Sequence, residues 1–395
     1  MKKEKILLFI LAALQFSHII DFMIIMPLGK QLMEIFQITP RQFSNIVAVY
    51  AGFAGIFGFL GAFFIDRFDR KWALFVVHIG FTVGTLACAF SNGYFFFLVA
   101  RGVTGAFGGM LSALVLSIIG DAIPFERRAS AMGVVMTAFS AASVIGVPTG
   151  LWIAAQFEWR TTFLAIGVVA TFIVFLILFF VPPLHKHLDS GQVQKNPLLI
   201  LKNVTSDPNQ VRALLFNTLV ILGHFLIIPF IAPYMQINIG FSDYQVTYIY
   251  LAGGTLTVFL LPLVGKLSDR YGNPQMFTIG SVLAIISIFL ITNLPPVPIW
   301  LALIVTSSYF MASSGRTVPS VTLVTSVVKP ESRGSFMSIR SSSNQLAMFL
   351  SSLIAGFLVE KGADGHLIHY EWVGYLAILV SFMAILFVRH LKVVS

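Results

Sequence analysis

The sequence predicts an all-α integral membrane protein with twelve transmembrane helices in two six-helix, pseudo-symmetric bundles. Three observations carry this. Of 395 residues, 57% are hydrophobic and only 10% charged, too little charge to cover a soluble domain of this size. The apolar residues come in runs of about 20, the length a helix needs to cross ~30 Å of hydrocarbon. A charged turn also occurs twice, as Gly61-Ala-Phe-Phe-Ile-Asp66-Arg67-Phe-Asp69-Arg70-Lys71 and as Gly265-Lys-Leu-Ser-Asp269-Arg270-Tyr-Gly272. Each copy lies between two apolar runs.

In chain order, apolar segments fall at 6–28, 44–65, 72–91, 94–120, 129–157 and 160–182, then at 211–236, 243–265, 275–294, 298–328, 333–359 and 372–390. The one long polar stretch, His185 to Gln210, separates the sixth from the seventh. Pro182-Pro183, Gly191, Asn196-Pro197 and Asp207-Pro208 are breakers that mark it as a connection. The expected organisation is therefore an N-terminal bundle at 1–183, a cytoplasmic linker at 184–210 and a C-terminal bundle at 211–395. Within the linker, Leu198 to Lys202 suits a short interfacial helix. The first apolar run continues to Leu28 without a small-residue cleavage site, so it reads as an uncleaved first span.

A net charge of +9 could suggest nucleic acid, but in so apolar a chain it reflects the placement of loops. With the N-terminus inside, Lys2, Lys3, Lys5, Arg67, Arg70, Lys71, Arg127, Arg128, Lys266, Arg270, Lys329, Arg333 and Arg389 all fall in inward loops. Only Lys30, Arg41, Arg160 and Lys361 lie outside. Both termini are expected in the cytoplasm. The single Cys88 excludes an internal disulfide framework. There is no Walker motif and no nucleophile with a neighbouring base, so neither ATP drive nor an intramembrane enzyme is expected.

The repeat is regular. Asp66 and Asp269 are 203 residues apart; Glu126-Arg-Arg128-Ala-Ser-Ala-Met132 and Glu331-Ser-Arg333-Gly-Ser-Phe-Met337 are 205 apart. Two parallel six-span halves are a transporter architecture, with a substrate site between them near the midplane.

At these residues the chain resembles the major facilitator superfamily, and within it the twelve-span drug:proton antiporters, including sugar-efflux-type permeases. Asp66, Arg67, Arg70 and Lys71 match the loop signature G-x-x-x-D-R-x-G-R-K. Ala62 stands at its first glycine, with Gly61 one residue early, and Asp69 at its second. Arg101 and Gly105 match the fourth-span R-x-x-x-G. Gly146-Val-Pro148-Thr-Gly150 resembles the fifth-span antiporter motif in its G-V-P-x-G form, and Asp21 with Pro27 resembles the first-span motif. The resemblance covers essentially the whole chain. It implies a monomeric alternating-access carrier of a small molecule in a bacterial inner membrane, without an organic cofactor and with the proton as coupling ion.

The chemistry such a carrier needs has candidates. Asp21 lies ~22 Å above the inner end of the first span and Arg101 ~10 Å below the outer end of the fourth, so in a ~30 Å core their depths nearly coincide. Intramembrane charges are costly and usually paired. A carboxylate held by a guanidinium stays ionised, and one released into apolar surroundings takes up a proton. Asp21 and Arg101, with His18 one turn earlier, are thus the candidate proton-coupling group. The bland reading is a static ion pair that locks two helices.

Arg316 and Arg340 have no evident acidic partner and sit on polar spans with Ser313, Ser314, Asn344 and Gln345. These six are the candidate substrate-binding residues, suited to an amphiphilic and anionic compound. Alternatively, Arg340 snorkels to the interface and Arg316 is satisfied by carbonyls and serines.

Asp66, Arg67, Arg70, Lys71, Asp121, Arg128, Asp269 and Arg270 are expected to form cytoplasmic gate contacts, a role the family's loop motif implies. Gly146, Pro148 and Gly150 would let the fifth span bend. Proton-coupled efflux is the leading expectation. Proton-coupled import, uncoupled facilitation of a metabolite or sugar, and a non-transporting receptor or scaffold stay open.

Overall fold

The structure is a computed structural model that describes residues 2–61, 63, 65–185, 197–329 and 333–392. Its helices follow the twelve expected spans. The first is Lys2–Ile24 continued by Gly29–Ile35, then come Pro40–Gly61, Arg70–Ala89 and Tyr94–Ala122. The fifth runs from Phe125–Ala141 through a π-helical turn, Ala142–Gly146, into Val147–Gln156, and the sixth is Trp159–Phe180. A short helix, Pro197–Ser206, precedes the seventh span, Pro208–Phe225 with Ile228–Ile237. The eighth and ninth are Asp243–Tyr271 and Asn273–Thr292, and the tenth is Ile299–Gly315 with Thr317–Thr325. Arg333–Leu358 is the eleventh and Tyr370–Val388 the twelfth, joined by a two-stranded hairpin of Glu360–Lys361 and Leu367–Ile368.

Among the described residues, ten helices are long and apolar enough to cross a membrane as they stand. The other two spans are disguised by their chemistry. The tenth is cut into short helices at Arg316, and the eleventh carries a run of serines with Asn344 and Gln345. Large apolar side chains such as Phe95, Phe179 and Phe259 are more than 70% exposed. Apolar exposure on that scale belongs against lipid.

Prolines set the breaks. Pro229 has no amide to give the carbonyl one turn before it, and the seventh span opens at Leu226–Ile227. Two tyrosine hydroxyls cover the opening: Tyr309 donates to the His224 carbonyl at 3.1 Å and Tyr370 to the Ile227 carbonyl at 3.0 Å. In the fifth span, Pro148 follows the π-helical turn, whose extra residue takes up the mismatch. Helix starts are capped as their sequences suggest. Asp69 accepts from the Lys71 and Trp72 amides, and Ser242 with Gln245 forms a capping box. Gly272, at φ +88°, makes the tight turn between the eighth and ninth spans.

The chain divides into two compact units. One comprises Met1–Ile25 with Val49–Leu199, the other Met26–Ala48 with Ile200–Ser395. Residues 26–48, expected in the N-terminal bundle, therefore group with the second unit. The cause is close packing there. Gly29 lies so near Phe43 and Pro233 that a methyl group would meet each at 2.7 Å. The Gln31 amide donates to Asp243 at 2.8 Å, and the Ser44 hydroxyl donates to the Ser352 carbonyl. Of the expected linker, residues 186–196 lie outside the described residues.

Each unit has its own core. In the first, Leu7, Leu11 and Leu14 pack with Leu74, Leu111, Val115, Ile118 and Ile177. In the second, Phe216, Phe277, Leu323, Phe336 and Ile385 do so. The second and fourth spans approach through Gly105 and Gly109, where an added methyl would overlap the main-chain carbonyls of Tyr50 and Ala54. This is the small-residue packing that membrane helices use. Gly109→Val should therefore lower Tm, with overpacking costing about 1–3 kcal/mol. Gly133→Ala, on a helical face with open space, should leave Tm unchanged or raise it. Thermal unfolding of the two purified variants in detergent checks the contrast.

Candidate functional site

The first unit brings Asp21 and Arg101 together at full burial, both 0% exposed. Arg101 Nη1 donates to Asp21 Oδ2 at 2.7 Å and to the Asp21 carbonyl at 3.3 Å. Thr85, from the third span, donates its hydroxyl to the other carboxylate oxygen at 3.1 Å. The Arg101 guanidinium also lies 4.3 Å from the centre of the Tyr50 ring, a cation–π contact strengthened by desolvation. Gly105, one turn after Arg101, lets the Tyr50 main chain come close enough for this. The R-x-x-x-G pattern thus holds a charge and the backbone approach that seats its aromatic cover. Nε and Nη2 of Arg101 have no hydrogen-bond partner.

His18 lies beside this pair, 7% exposed, with neither ring nitrogen hydrogen-bonded. Its ring packs between Tyr50 and Phe81, with centroids 6.1 and 6.0 Å away. The fifth-span motif faces the same helix. A methyl on Gly146 would meet Ile20 at 2.9 Å and one on Gly150 would meet Ile24 at 2.8 Å. Pro148 stands in the first turn of the helix after the π-helical segment.

The charged loop is partly assembled. Buried Arg70 pairs with Asp121, at the end of the fourth span, at 2.9 Å. Arg128 Nε donates to the Ile123 carbonyl at 3.0 Å, a cation at a helix C-terminus. Arg67 is exposed and Lys71 half-buried. Asp66 falls in a single 3₁₀ turn, and its side chain lies outside the described residues. In the repeat copy, Asp269 and Arg270 are exposed, with the Arg270 guanidinium over the Tyr271 ring.

In the second unit the expected substrate residues fall into two groups. Arg340 Nε donates to Asn217 on the seventh span at 2.8 Å, and the same asparagine donates to Asn344. Ser343 and Thr218 are 2.9 Å apart, so the seventh and eleventh spans are joined by polar contacts. The Gln345 Oε1 is buried without a partner. Arg316 belongs to the other group and is 0% exposed. Its Nη1 donates to Ser381 on the twelfth span at 2.9 Å, while Nε and Nη2 have no partner. Ser313 is buried one turn before it and Ser314 is half-buried. Tyr309, two turns before Arg316, lies 3.2 Å from His224 Nδ1, with the two rings stacked.

Several partners were not singled out from sequence: Tyr50, Thr85, Asn217, His224, Tyr309 and Ser381. One signal existed for His224. It lies 203 residues after Asp21, the offset that separates Asp66 from Asp269, and it occupies the corresponding place on the first span of its half. The contact between first and fourth spans is repeated too, as Asp21–Arg101 and His224–Tyr309.

The Major Facilitator Superfamily family profile matches residues 11–220 and 213–394. The chain belongs to the Major Facilitator Superfamily. It is 25% identical over 326 residues to the uncharacterized MFS-type transporter YwfA of Bacillus subtilis, covering 80% of this chain and 78% of that one. It is 28% identical over 267 residues to a probable sugar efflux transporter of Mannheimia succiniciproducens, covering 66% and 64%. Among solved structures it resembles an inward-facing, occupied bacterial homologue of the human lysosomal transporter Spinster. There the TM-score is 0.78 at 14% identity, over 97% and 96% of the chains. It also resembles the partially occluded, inward-open xylose transporter XylE from E. coli, with TM-score 0.77 at 16% identity over 99% and 98%. The fold is thus that of an all-α, multi-pass membrane transporter.

For this superfamily member the ion pair makes a thermodynamic prediction. Removing one partner of a buried pair strands the other, at about 3–5 kcal/mol. Asp21→Asn should lower Tm markedly. The double variant Asp21→Asn/Arg101→Gln should fall by less than the two single changes added together, as a double-variant cycle in detergent would show.

Proposed function

We propose that the chain is a proton-coupled exporter working by alternating access. It moves a small amphiphilic compound out across a bacterial cytoplasmic membrane, with both termini inside and the proton entering as the compound leaves. The observation that carries this reading is the fully buried Asp21–Arg101 pair. An ion pair in hydrocarbon is an expensive way to hold two helices together, but it is a suitable way to hold a proton site closed.

Asp21 has two stable arrangements. Ionised, it accepts from Arg101 and Thr85. Protonated, it is neutral and loses most of its attraction for the guanidinium. The Tyr50 ring over Arg101 offsets part of the cost of losing that partner. His18, one turn away with both ring nitrogens free, is placed to share the proton. Gly146, Pro148 and Gly150 lie where the fifth span meets the Asp21 helix, so a change at Asp21 is felt where that span can bend. The Arg70–Asp121 pair, with Asp66 and Arg128 nearby in the sequence, acts as the cytoplasmic latch. The curated relative named a probable sugar efflux transporter supports the outward direction and keeps carbohydrates among the candidate cargoes.

The test is substrate-triggered proton flux in proteoliposomes containing an internal pH dye, with a panel of cationic, anionic and neutral amphiphiles. Wild type should move protons with at least one class. Asp21→Asn should abolish the flux while still binding the compound. Substrate exchange that is insensitive to both pH and Asp21→Asn would sink the antiporter reading and leave a facilitator.

A further inference from the structure

We infer that Arg316 is the docking point for a carboxylate carried by the transported compound. The inference rests on the transporter reading but not on proton coupling. Its starting point is a charge imbalance. In the first unit the fully buried Arg101 has Asp21; in the second, Arg316 has a serine. The described carboxylates of that unit lie at helix ends or in connections, such as Asp207, Asp243, Asp269 and Glu371. Glu371 is ten residues before Ser381, ~15 Å along the twelfth span. A buried guanidinium with no anion nearby is costly, so the arrangement is completed by a negative group from outside the chain.

The geometry says which kind. Nη1, on the Cδ side of the guanidinium, is bound to Ser381. The unpartnered nitrogens are Nε and Nη2, which together form the side-on edge that meets both oxygens of a carboxylate in two parallel hydrogen bonds. Tyr309, Ser313 and Arg316 recur at i, i+4 and i+7, so a polar face runs along the tenth span, all of it buried. His224 and Ser381 face it from the seventh and twelfth spans. Two neighbouring positions are glycine. Gly280 packs on the Arg316 main chain, with an added methyl meeting Cβ at 3.1 Å, and Gly223 sits beside Ser381. The surroundings offer donors and small residues, with no competing acid among the described residues. Arg340 differs, since its own side-on edge already gives Nε to Asn217.

Equilibrium binding to the full-length protein in nanodiscs tests this. Radiolabelled phenylbutyrate serves as the carboxylate probe, phenylbutanamide as its neutral counterpart, and chloride and phosphate as inorganic competitors. Wild type should bind phenylbutyrate saturably, without competition from the amide. Arg316→Lys, which keeps the charge but loses the two-pronged edge, should weaken binding at least about tenfold, and Arg316→Gln should abolish it. Folding provides an independent readout. Without probe, Arg316→Gln should hold or raise Tm, because it removes an unpaired buried charge.

Three outcomes would each overturn the assignment: no saturable binding to wild type, equal binding of the amide, or undiminished binding to Arg316→Lys. Displacement by chloride at concentrations where carboxylates have no effect would overturn it in favour of an inorganic ion site. Binding needs no proton gradient, so a failed flux assay with an intact binding result would remove the coupling and leave Arg316 as assigned.

Discussion

A carboxylate and a guanidinium held 2.7 Å apart with no access to water set the terms for much of the first unit. Neither charge is tolerable alone in hydrocarbon, so the first and fourth spans must meet at that depth. The third span supplies a hydroxyl for the second carboxylate oxygen, and the second span supplies an aromatic face for the cation. That last contact depends on the absence of side chains at Gly105 and Gly109. Four helices are positioned by two charges. The surrounding leucines and isoleucines give the unit its bulk but would accept many registers; the polar pair accepts one.

The two units share a plan and differ in charge. Both join two helices by a polar contact between a first and a fourth span. The first span of each sequence half breaks at a proline, Pro27 and Pro229, although Pro27 groups with the second unit. The first unit closes its charge balance internally, through Asp21. The second carries a histidine at the corresponding place and an arginine balanced only by a serine. A repeated fold has thus diverged into a half that holds its own counter-ion and a half in which Arg316 has none among the described residues. The proposed division between handling a proton and handling a cargo rests on that asymmetry.

Much of this was legible in the sequence because a bilayer is a severe solvent. Apolar runs of fixed length, the turn at Asp66 and its copy at Asp269, and the depths of Asp21 and Arg101 all follow from simple spacing. What stayed hidden had specific causes. Thr85, Ser381 and Asn217 are neutral, and such residues occur throughout these spans, so nothing in the sequence marks those that touch a charge. Tyr50 looks like core filling until Gly105 is seen to draw its backbone in. The break of the tenth span at Arg316 is signalled only by Pro319, a weak signal because proline is common in membrane helices. The placement of residues 26–48 depends on close contacts at Gly29 and Ser44, which no periodicity reveals.

The opening in the seventh span has a consequence for how this protein can change over generations. Its exposed carbonyls are covered by hydroxyls from two other helices, Tyr309 on the tenth and Tyr370 on the twelfth. Exchanging tyrosine for phenylalanine is among the mildest changes by size and shape, and in a lipid-embedded aromatic cluster it would pass as silent drift. Here it would strip the carbonyl of its shorter hydrogen bond and leave it one longer one, at 3.3 Å from the Ile227 amide to His224 or from the Phe230 amide to Ile227, in a medium that offers no water to replace the loss. The chain contains 39 phenylalanines and only 10 tyrosines. At positions 309 and 370 the rarer residue contributes through its one extra oxygen atom.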